Sequence, residues 1–307
     1  MPKRFLACLT LTAALCALTA CGLEKPAHEK LSVVATIFAP YDFARAIAGE
    51  HAEVTMLLPP GGESHTFEPT PNDIVQILEC GVFVYAGGES DAWVERILSS
   101  VDTAKMQVVT LMDCVETVEE VLVEGMEGEA EAEPDEHVWT SPKNAMRITQ
   151  KIADAMCAAD PGNAGAYRAN TAAYLGKLDA LDAAFREVVG QGARRTIVFG
   201  DRFPFRYFAD AYGLDYFAAF PGCAAETEAG AGTVIFLIGK IKAEGIPVVF
   251  HTELSNRRMA GVIAGAGGAQ VRLLHACHNI TQADFQAGRT YLELMEGNLE
   301  ALREALA

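Results

Sequence analysis

Two of the seven histidines in the sequence lie in loops where a metal ion could bind. His65 follows the Pro-Pro-Gly-Gly stretch at 59–62, and His137 precedes Ser141 and Pro142, which suit the start of a helix. In open α/β sheets, ligands bind in such loops, beyond the carboxyl ends of the strands. Imidazole suits zinc, copper, iron and nickel. The two histidines are therefore candidate ligands, although their spacing alone does not distinguish them from ordinary surface histidines.

Alternating strands and helices are predicted to hold these loops. Apolar, β-branched runs predict strands at Leu31–Ile37, Val54–Leu58, Val82–Ala86, Val108–Met112, Thr196–Phe199, Tyr216–Phe220, Val248–Phe250 and Gln270–Leu274. In the second half, helices are predicted at Tyr207–Tyr212, Thr233–Ala243, Asn256–Ala264 and Phe285–Leu306. Residues 166–189 have the leucine spacing of one long helix. We therefore predict an α/β fold of two lobes with parallel sheets, bridged by this helix.

The N-terminus is typical of a secreted lipoprotein. Lys3 and Arg4 precede an apolar run, Phe5–Ala20, that is shorter than the roughly 20 residues of a spanning helix. The stretch that ends at Cys21-Gly22 resembles a bacterial lipobox, in which Cys21 takes a lipid. We expect an extracytoplasmic protein that this lipid anchors to the bacterial cell membrane. The predicted division is a signal peptide at 1–20, a tether at 21–30, an N-terminal lobe at 31–160, a linking helix at 161–191 and a C-terminal lobe at 192–307.

The charge of the chain points to a cation as its ligand. The net charge of −17 argues against nucleic acid or an anionic membrane surface as a partner. Residues 116–136 hold ten acidic side chains and no basic one. Because so many like charges repel one another, we predict that this stretch is a mobile, solvated loop. The sequence contains no Cys-x-x-Cys pair, so a thiolate zinc knuckle is not supported.

The two histidine segments resemble the N-lobe metal motifs of the metal-specific solute-binding proteins of ABC importers, a family that includes zinc and manganese binders. The resemblance extends over nearly all of the mature chain and includes Asp73–Leu78, Gly87–Trp93 and Tyr207–Leu214. It implies two α/β lobes, a rigid linking helix and a metal in the cleft. It also implies a monomer that captures a transition metal and delivers it to a membrane permease. His65 and His137 match the family's two N-lobe ligands directly.

The resemblance is weaker for the two ligands that the family takes from its C lobe. Arg202 stands where the family usually has a histidine, and arginine cannot bind a cation. We expect its neighbour Asp201 to serve instead, although Asp201 could equally cap a helix or pair with Arg202. The family's last ligand follows the final strand, where His275 lies, and His278 is the reserve candidate.

Four further residues are expected to support the site. The resemblance suggests that Glu228 orients a loop or binds a charged partner in the cleft. Glu253 follows a predicted strand and would accept a hydrogen bond from the second nitrogen of a ligating imidazole. Cys223 and Cys277 lie in loops of the same lobe, and we predict a disulfide between them, although sequence does not fix connectivity.

Three imidazoles and one carboxylate favour tetrahedral zinc as the ligand. Manganese is the alternative metal, but it would be helped by more oxygen ligands. An extracytoplasmic zinc hydrolase is an alternative function, yet four protein ligands would close the site, and the sequence contains neither His-Glu-x-x-His nor Gly-x-Ser-x-Gly. A structural or adhesive lipoprotein without metal is a third. We therefore predict a zinc-binding protein that is not an enzyme.

Overall fold

Two four-stranded parallel sheets form the framework of the protein. The computed structural model describes residues 30–126, 134–223 and 229–307. The N-terminal sheet consists of β1 (Leu31–Ala35), β2 (Ala52–Met56), β3 (Val82–Tyr85) and β4 (Gln107–Thr110), in the order β2-β1-β3-β4. The C-terminal sheet consists of β5 (Thr196–Phe203), β6 (Asp215–Pro221), β7 (Val248–His251) and β8 (Gln270–Leu273), in the order β6-β5-β7-β8. The predicted fold class is confirmed.

The two sheets share one topology, which determines where a ligand can bind. In each sheet the strand order reverses beside the first strand, between β1 and β3 and between β5 and β7. Loops diverge at such a reversal and leave a crevice beyond the carboxyl ends of the strands. Each lobe therefore offers one crevice, lined by the loops that follow these pairs of strands.

Ten α-helices cover the sheets within the described residues. They are α1 (Phe38–Ala48), α2 (Pro71–Glu79), α3 (Ala92–Leu98), α4 (Pro142–Ala159), α5 (Ala164–Gln191), α6 (Arg206–Tyr212), α7 (Ala231–Glu244), α8 (Arg258–Gly267), α9 (Gln282–Gln286) and α10 (Tyr291–Leu306). Thr70 caps α2 as predicted, since its hydroxyl accepts from the backbone N–H of Asp73. The single helix predicted at Phe285–Leu306 is wrong. Gly288 adopts a φ of 70° and Thr290 is an extended N-cap, so the chain turns between α9 and α10.

Helix α5 joins the two lobes through a continuous core. Its 28 residues span about 42 Å at 1.5 Å per residue. It packs against α1, α4 and α10, and its buried side chains, such as Tyr167, Leu178 and Phe185, belong to one apolar cluster that includes both sheets. Each sheet has a separate apolar cluster on its other face, around Phe83 and around Val249. Both sheets are thus covered on two faces, as expected for parallel strands.

The acidic stretch 116–136 is hydrogen-bonded to the C-terminal lobe where the structure describes it. Val118 donates its N–H to the Tyr207 hydroxyl over 3.2 Å, and that hydroxyl donates to the Asp135 carbonyl over 2.7 Å. The Thr233 hydroxyl donates to the Gly125 carbonyl over 2.8 Å. The stretch is therefore attached to helices α6 and α7 of the C-terminal lobe at Val118, Gly125 and Asp135. Glu116, Glu119 and Glu124 are exposed, in keeping with the solvated loop that was predicted, and its mobility stays a prediction.

The disulfide predicted between Cys223 and Cys277 is absent, and both residues are free thiols. Cys277 is fully buried in the shared apolar core, whereas Cys223 is half-buried in the loop after β6, where its N–H donates to Glu120.

Several predicted features lie outside the described residues: the signal peptide 1–20, Cys21, the tether up to residue 29 and Glu228. Within the described ranges, no helix is both long and apolar enough to cross a membrane.

Candidate metal centre

His65 lies between β2 and α2, and its neighbours determine which ring nitrogen is free. Its Nδ1 lies 2.7 Å from the Ser90 hydroxyl oxygen. That hydroxyl donates its only hydrogen to the carboxylate of Glu136. It must therefore accept from His65, which places a hydrogen on Nδ1. Nε2 of His65 keeps its lone pair and can bind a metal.

His137 is fully buried and has one nitrogen without a partner. Its Nδ1 lies 3.1 Å from Asp135 Oδ1, and the same carboxylate oxygen accepts the backbone N–H of His137 over 2.8 Å. Nε2 has no hydrogen-bond partner within the described residues. A buried polar atom without a partner costs about 1–3 kcal/mol, a cost that a bound metal ion would remove. The Asp135–His137 pair is thus arranged as an oriented metal ligand.

His278 comes from the loop that follows β8 in the C-terminal lobe. Glu253 shapes this loop by accepting the backbone N–H groups of Ala276 over 2.7 Å and of His278 over 2.8 Å. Cys277 between them has a φ of 57°, a left-handed conformation that turns the chain. The Trp139 indole donates to the Ala276 carbonyl over 2.8 Å. These contacts direct the His278 ring toward the two N-lobe histidines.

The three imidazoles have the mutual distances of ligands around one ion. Ring centres lie 5.9 Å apart for His65 and His137, 5.2 Å for His65 and His278, and 5.1 Å for His137 and His278. On tetrahedral zinc with bonds of about 2.1 Å, two imidazole ring centres lie about 5.3 Å apart. Candidate ligand atoms of these histidines and Glu136 all lie within 4.8 Å of one another. Since tetrahedral nitrogens lie about 3.4 Å apart, small side-chain shifts would complete the site.

Electrostatics keeps two of these rings neutral. Burial, followed by the charges of His137 and Arg202, lowers the pKa of His65 to about 3. Burial, His137, His65 and Arg202 lower the pKa of His278 well below its usual value. For His137, burial lowers the pKa, but the charge and hydrogen bond of Asp135 outweigh it and raise the pKa overall. His65 and His278 are therefore unprotonated at neutral pH, the form that binds metal.

The Gly87–Trp93 turn makes room for Glu136 and holds Ser90 beside it. Gly88 has a φ of 77°, and a Cβ there would lie 2.6 Å from a Glu136 carboxylate oxygen. Asp91 accepts the N–H groups of Ala86 over 2.7 Å and Gly87 over 3.2 Å, which fixes the turn. Burial raises the pKa of Glu136. The turn thus supports His65 through Ser90 and Glu136.

The structure does not bring His275 or Asp201 into this group. The backbone N–H of His275 donates to the Asn298 side chain over 2.7 Å, and its Nδ1 accepts from the N–H of Cys277 over 3.0 Å. Asp201 accepts from the N–H and hydroxyl of Thr252, both over 3.0 Å, and from the N–H of Arg202 over 2.9 Å. Asp201 therefore ties the end of β5 to the end of β7.

Glu253 was expected to accept a hydrogen bond from a ligating imidazole, and the structure differs. Its carboxylate accepts backbone N–H groups of the 276–278 loop. Its Oε2 lies 3.6 Å from Nδ1 of His275, which is outside the cluster. Glu136 was missed in the sequence, although it directly precedes His137. A carboxylate inside an acidic stretch gives no signal that it is buried, and Glu136 is only 1% exposed.

A cleft between the lobes gives access to the three histidines. Its volume is about 230 Å³, and its lining includes His65, His137 and His278 together with Asp201 and Arg202. The Arg202 guanidinium pairs with Glu63 over 3.2 Å. A metal ion could therefore enter from solvent without any change of fold.

The chain is similar to known zinc-binding proteins over nearly its whole length. It is 31% identical to the zinc-binding lipoprotein AdcA of Streptococcus pneumoniae serotype 4, over 96% of this chain and 60% of that protein. The chain thus spans about 60% of that relative. It is 28% identical to the high-affinity zinc uptake system protein ZnuA of Bacillus subtilis, over 98% of this chain and 95% of that protein.

The fold is also similar to that of a zinc-binding protein. The crystal structure of the Zn(II)-bound ZnuA-like domain of Streptococcus pneumoniae AdcA matches with a TM-score of 0.76 and 28% identity, covering 90% of this chain and 99% of that one. The model of the ZnuA family, described as zinc-uptake complex component A, periplasmic, matches residues 33–305. The chain therefore belongs to the ZnuA family.

Proposed function

We propose that this protein captures one zinc ion outside the cytoplasm and delivers it to an ABC importer. The ligands are His65, His137 and His278. The observation that carries the proposal is the convergence of three imidazoles, of which His137 is fully buried and has an Nε2 without a partner among the described residues. Family membership supports the same function, since the similar proteins are named for zinc binding and zinc uptake.

The chemistry of the donors favours zinc over manganese. Nitrogen ligands suit zinc, whereas manganese prefers carboxylate, carbonyl and water oxygens. The carboxylate of the cluster, Glu136, already accepts the Ser90 hydroxyl and the Ser90 N–H. Two further acids near the cleft, Asp201 and Glu253, are held by hydrogen bonds to Thr252 and to the 276–278 loop. The oxygen ligands that manganese would need are thus otherwise engaged.

We also propose that the site binds metal without catalysing a reaction. Three histidines with an open fourth position also occur in zinc enzymes, which use a nearby base to activate water. Glu136 contacts Ser90 and lies 3.4 Å from Nδ1 of His65, the nitrogen that faces away from the proposed metal, so it orients a ligand. Zinc-loaded protein should not hydrolyse ester or peptide substrates faster than its triple histidine variant.

The route of delivery follows from the proposed location. A lipid on Cys21 would hold the protein at the outer face of the cell membrane, next to the permease of the importer. The protein would act there as a monomer, because one chain supplies all three ligands. Metabolic labelling with palmitate, compared between the parent chain and Cys21→Ala, tests the lipid anchor.

Calorimetric titration of metal-free protein with zinc tests the ligand set. We expect His65→Ala, His137→Ala and His278→Ala each to weaken zinc binding by more than about 100-fold, since loss of a supporting residue alone costs 10–100-fold. His51→Ala is the control, because the His51 ring contacts Tyr167 and does not belong to the cluster. His275→Ala should bind zinc like the parent. If His275→Ala loses zinc and His278→Ala keeps it, the ligand set is wrong.

A further inference from the structure

Three histidines leave one position of a tetrahedral zinc ion unfilled. Glu136 is committed to Ser90, and both oxygens of Asp201 accept hydrogen bonds from Thr252 and Arg202. Glu63 pairs with Arg202, and its side chain is 49% exposed to solvent. The fourth ligand must therefore come either from a carboxylate that gives up these contacts or from outside the protein.

Arg202 places a permanent positive charge beside the three histidines. Its side chain lines the same cleft as the three histidines, and its Nη1 pairs with Glu63 over 3.2 Å. A guanidinium cannot bind a metal cation, and it repels one. Zinc with three neutral imidazoles keeps its full charge of two. Glu63 engages one nitrogen of the guanidinium, so further N–H donors of Arg202 are available to a second anion that lies between it and the zinc.

The cleft has room for such an anion. Its volume of about 230 Å³ exceeds what an ion and one water need, because a water molecule occupies about 30 Å³. The lining of the cleft also includes Ser255 and Asn256, two polar residues on the loop after β7. A guanidinium and polar residues in the same cleft as a three-histidine cluster suit a small anion with at least two oxygens.

We propose that the cargo of this protein is zinc together with a small carboxylate anion. One carboxylate oxygen completes the zinc tetrahedron, and the other accepts hydrogen bonds from the Arg202 guanidinium, whose planar fork matches a carboxylate. This inference rests on the proposed zinc-binding function and identifies the chemical class of the cargo. Arg202 is the residue that selects a chelated ion over a hydrated one.

Zinc titrations of the metal-free protein in acetate and in perchlorate, at equal ionic strength and pH, test the proposal. Acetate competes for zinc in solution, so without a ternary complex it can only weaken the apparent affinity. We expect acetate to tighten zinc binding by the parent about tenfold, as a charge-assisted hydrogen bond would. Arg202→Gln should bind zinc in perchlorate at least as tightly as the parent and lose the effect of acetate.

Arg272→Gln is the matched control, because Arg272 also lies on the C-terminal sheet but pairs with Glu304 at the surface. It should keep the full effect of acetate. If acetate weakens zinc binding equally in the parent and in Arg202→Gln, the fourth ligand comes from the protein and the proposal is overturned. If both proteins tighten alike, Arg202 is not the anion's partner. A parent protein that binds no zinc in either salt would instead overturn the proposed function itself.

Discussion

In the proposed zinc site, Ser90 and Glu136 support the ligand His65. Hydrogen bonds from Nδ1 of His65 to Ser90, and from Ser90 to Glu136, fix the ring orientation and the tautomer. Such supporting contacts make the other nitrogen a better ligand and hold it in place before the ion arrives. The affinity of the proposed site would thus depend on residues outside its ligand set.

Replacing Ser90 should weaken zinc binding without unfolding the protein. Ser90→Ala leaves Nδ1 of His65 free to turn toward Glu136, 3.4 Å away, so the ring loses its fixed orientation. We expect a loss of zinc affinity of about tenfold to 100-fold. Ser99→Ala is the control, since the Ser99 hydroxyl is exposed and donates only to the Arg96 carbonyl. Equal zinc affinities for the two variants, measured by competition with a chelator, would contradict this role.

Asp42 makes the stability of the protein depend on pH. It accepts the Tyr291 N–H over 2.8 Å in the core between α1 and α10, and burial raises its pKa from 3.8 to about 6. Folding therefore disfavours its charged form. No penalty exists below about pH 4, where both folded and unfolded chains are protonated, and the full penalty is present above pH 6.

Asp42→Asn should consequently stabilise the protein at neutral pH. The amide oxygen can still accept the Tyr291 N–H, and the buried charge is gone. We expect the free energy of unfolding to rise by about 1–3 kcal/mol at pH 7.5, with a gain that vanishes near pH 4. Urea titrations at both pH values measure it, with Asp179→Asn on the exposed side of α5 as control. A gain that is the same at pH 4 and pH 7.5 would exclude this explanation.

The proposed ligand from the C-terminal lobe shows what sequence could not resolve at the scale of single residues. His275 and His278 are both histidines after the final strand, and a count of positions favours His275. The choice depends on contacts distant in sequence: Asn298 of α10 holds the backbone of His275, and Glu253 holds that of His278. Cys277, at a φ of 57°, reverses the chain between them. The sequence predicts neither these contacts nor the left-handed backbone conformation of Cys277.

Element boundaries were predictable where local chemistry determines them. The start of α2 at Pro71 follows from the Thr70 cap, and all eight strands lie where apolar runs predict them. Strand β5, however, continues to Phe203 through a shift of register between Phe199 and Arg202. The shift places Asp201 and Arg202 at the cleft, next to Gly200, where a Cβ would come within 2.5 Å of Ala260. Helix α8 packs against β5 at this point, and the strand pattern alone does not contain that contact.

The turn after β6 brings the C-terminal lobe against His137, a proposed ligand in the N-terminal lobe. A Cβ on Gly222 would lie 3.0 Å from Cε1 of His137 and 3.0 Å from the Phe203 carbonyl oxygen. Because the carbonyl belongs to the backbone, the imidazole ring would have to move. We expect Gly222→Ala to weaken zinc binding about tenfold while thermal stability changes little. Gly239→Ala on α7, where a Cβ meets nothing within 4 Å, is the control. Unchanged zinc affinity in Gly222→Ala would contradict this prediction. It would mean that the turn at Gly222 can move away from His137 without disturbing the site.

At the scale of the whole molecule, hydrogen bonds between loops join the two lobes in addition to the linking helix α5. The Asn279 side chain donates to the carbonyls of Pro59 and Gly62 over 2.9 and 2.7 Å, and Phe38 at the start of α1 donates its N–H to the His278 carbonyl over 3.1 Å. The loop that carries the C-lobe ligand is therefore hydrogen-bonded to the N-terminal lobe. Together with the core along α5, these contacts hold the three histidines close without the ion.

Metal-free protein should therefore unfold in one cooperative transition, and zinc should raise its midpoint. A ligand that binds only the folded state at 100 times its dissociation constant adds about 2.7 kcal/mol, which corresponds to roughly 5–10 °C for a chain of this size. His278→Ala should unfold in a single transition like the parent but show little zinc-dependent shift, because the remaining ligands come from one lobe. His51→Ala should shift like the parent. Two separate calorimetric transitions without metal would mean that the two lobes unfold independently. If zinc then stabilised only the N-terminal transition, His278 would not be a ligand.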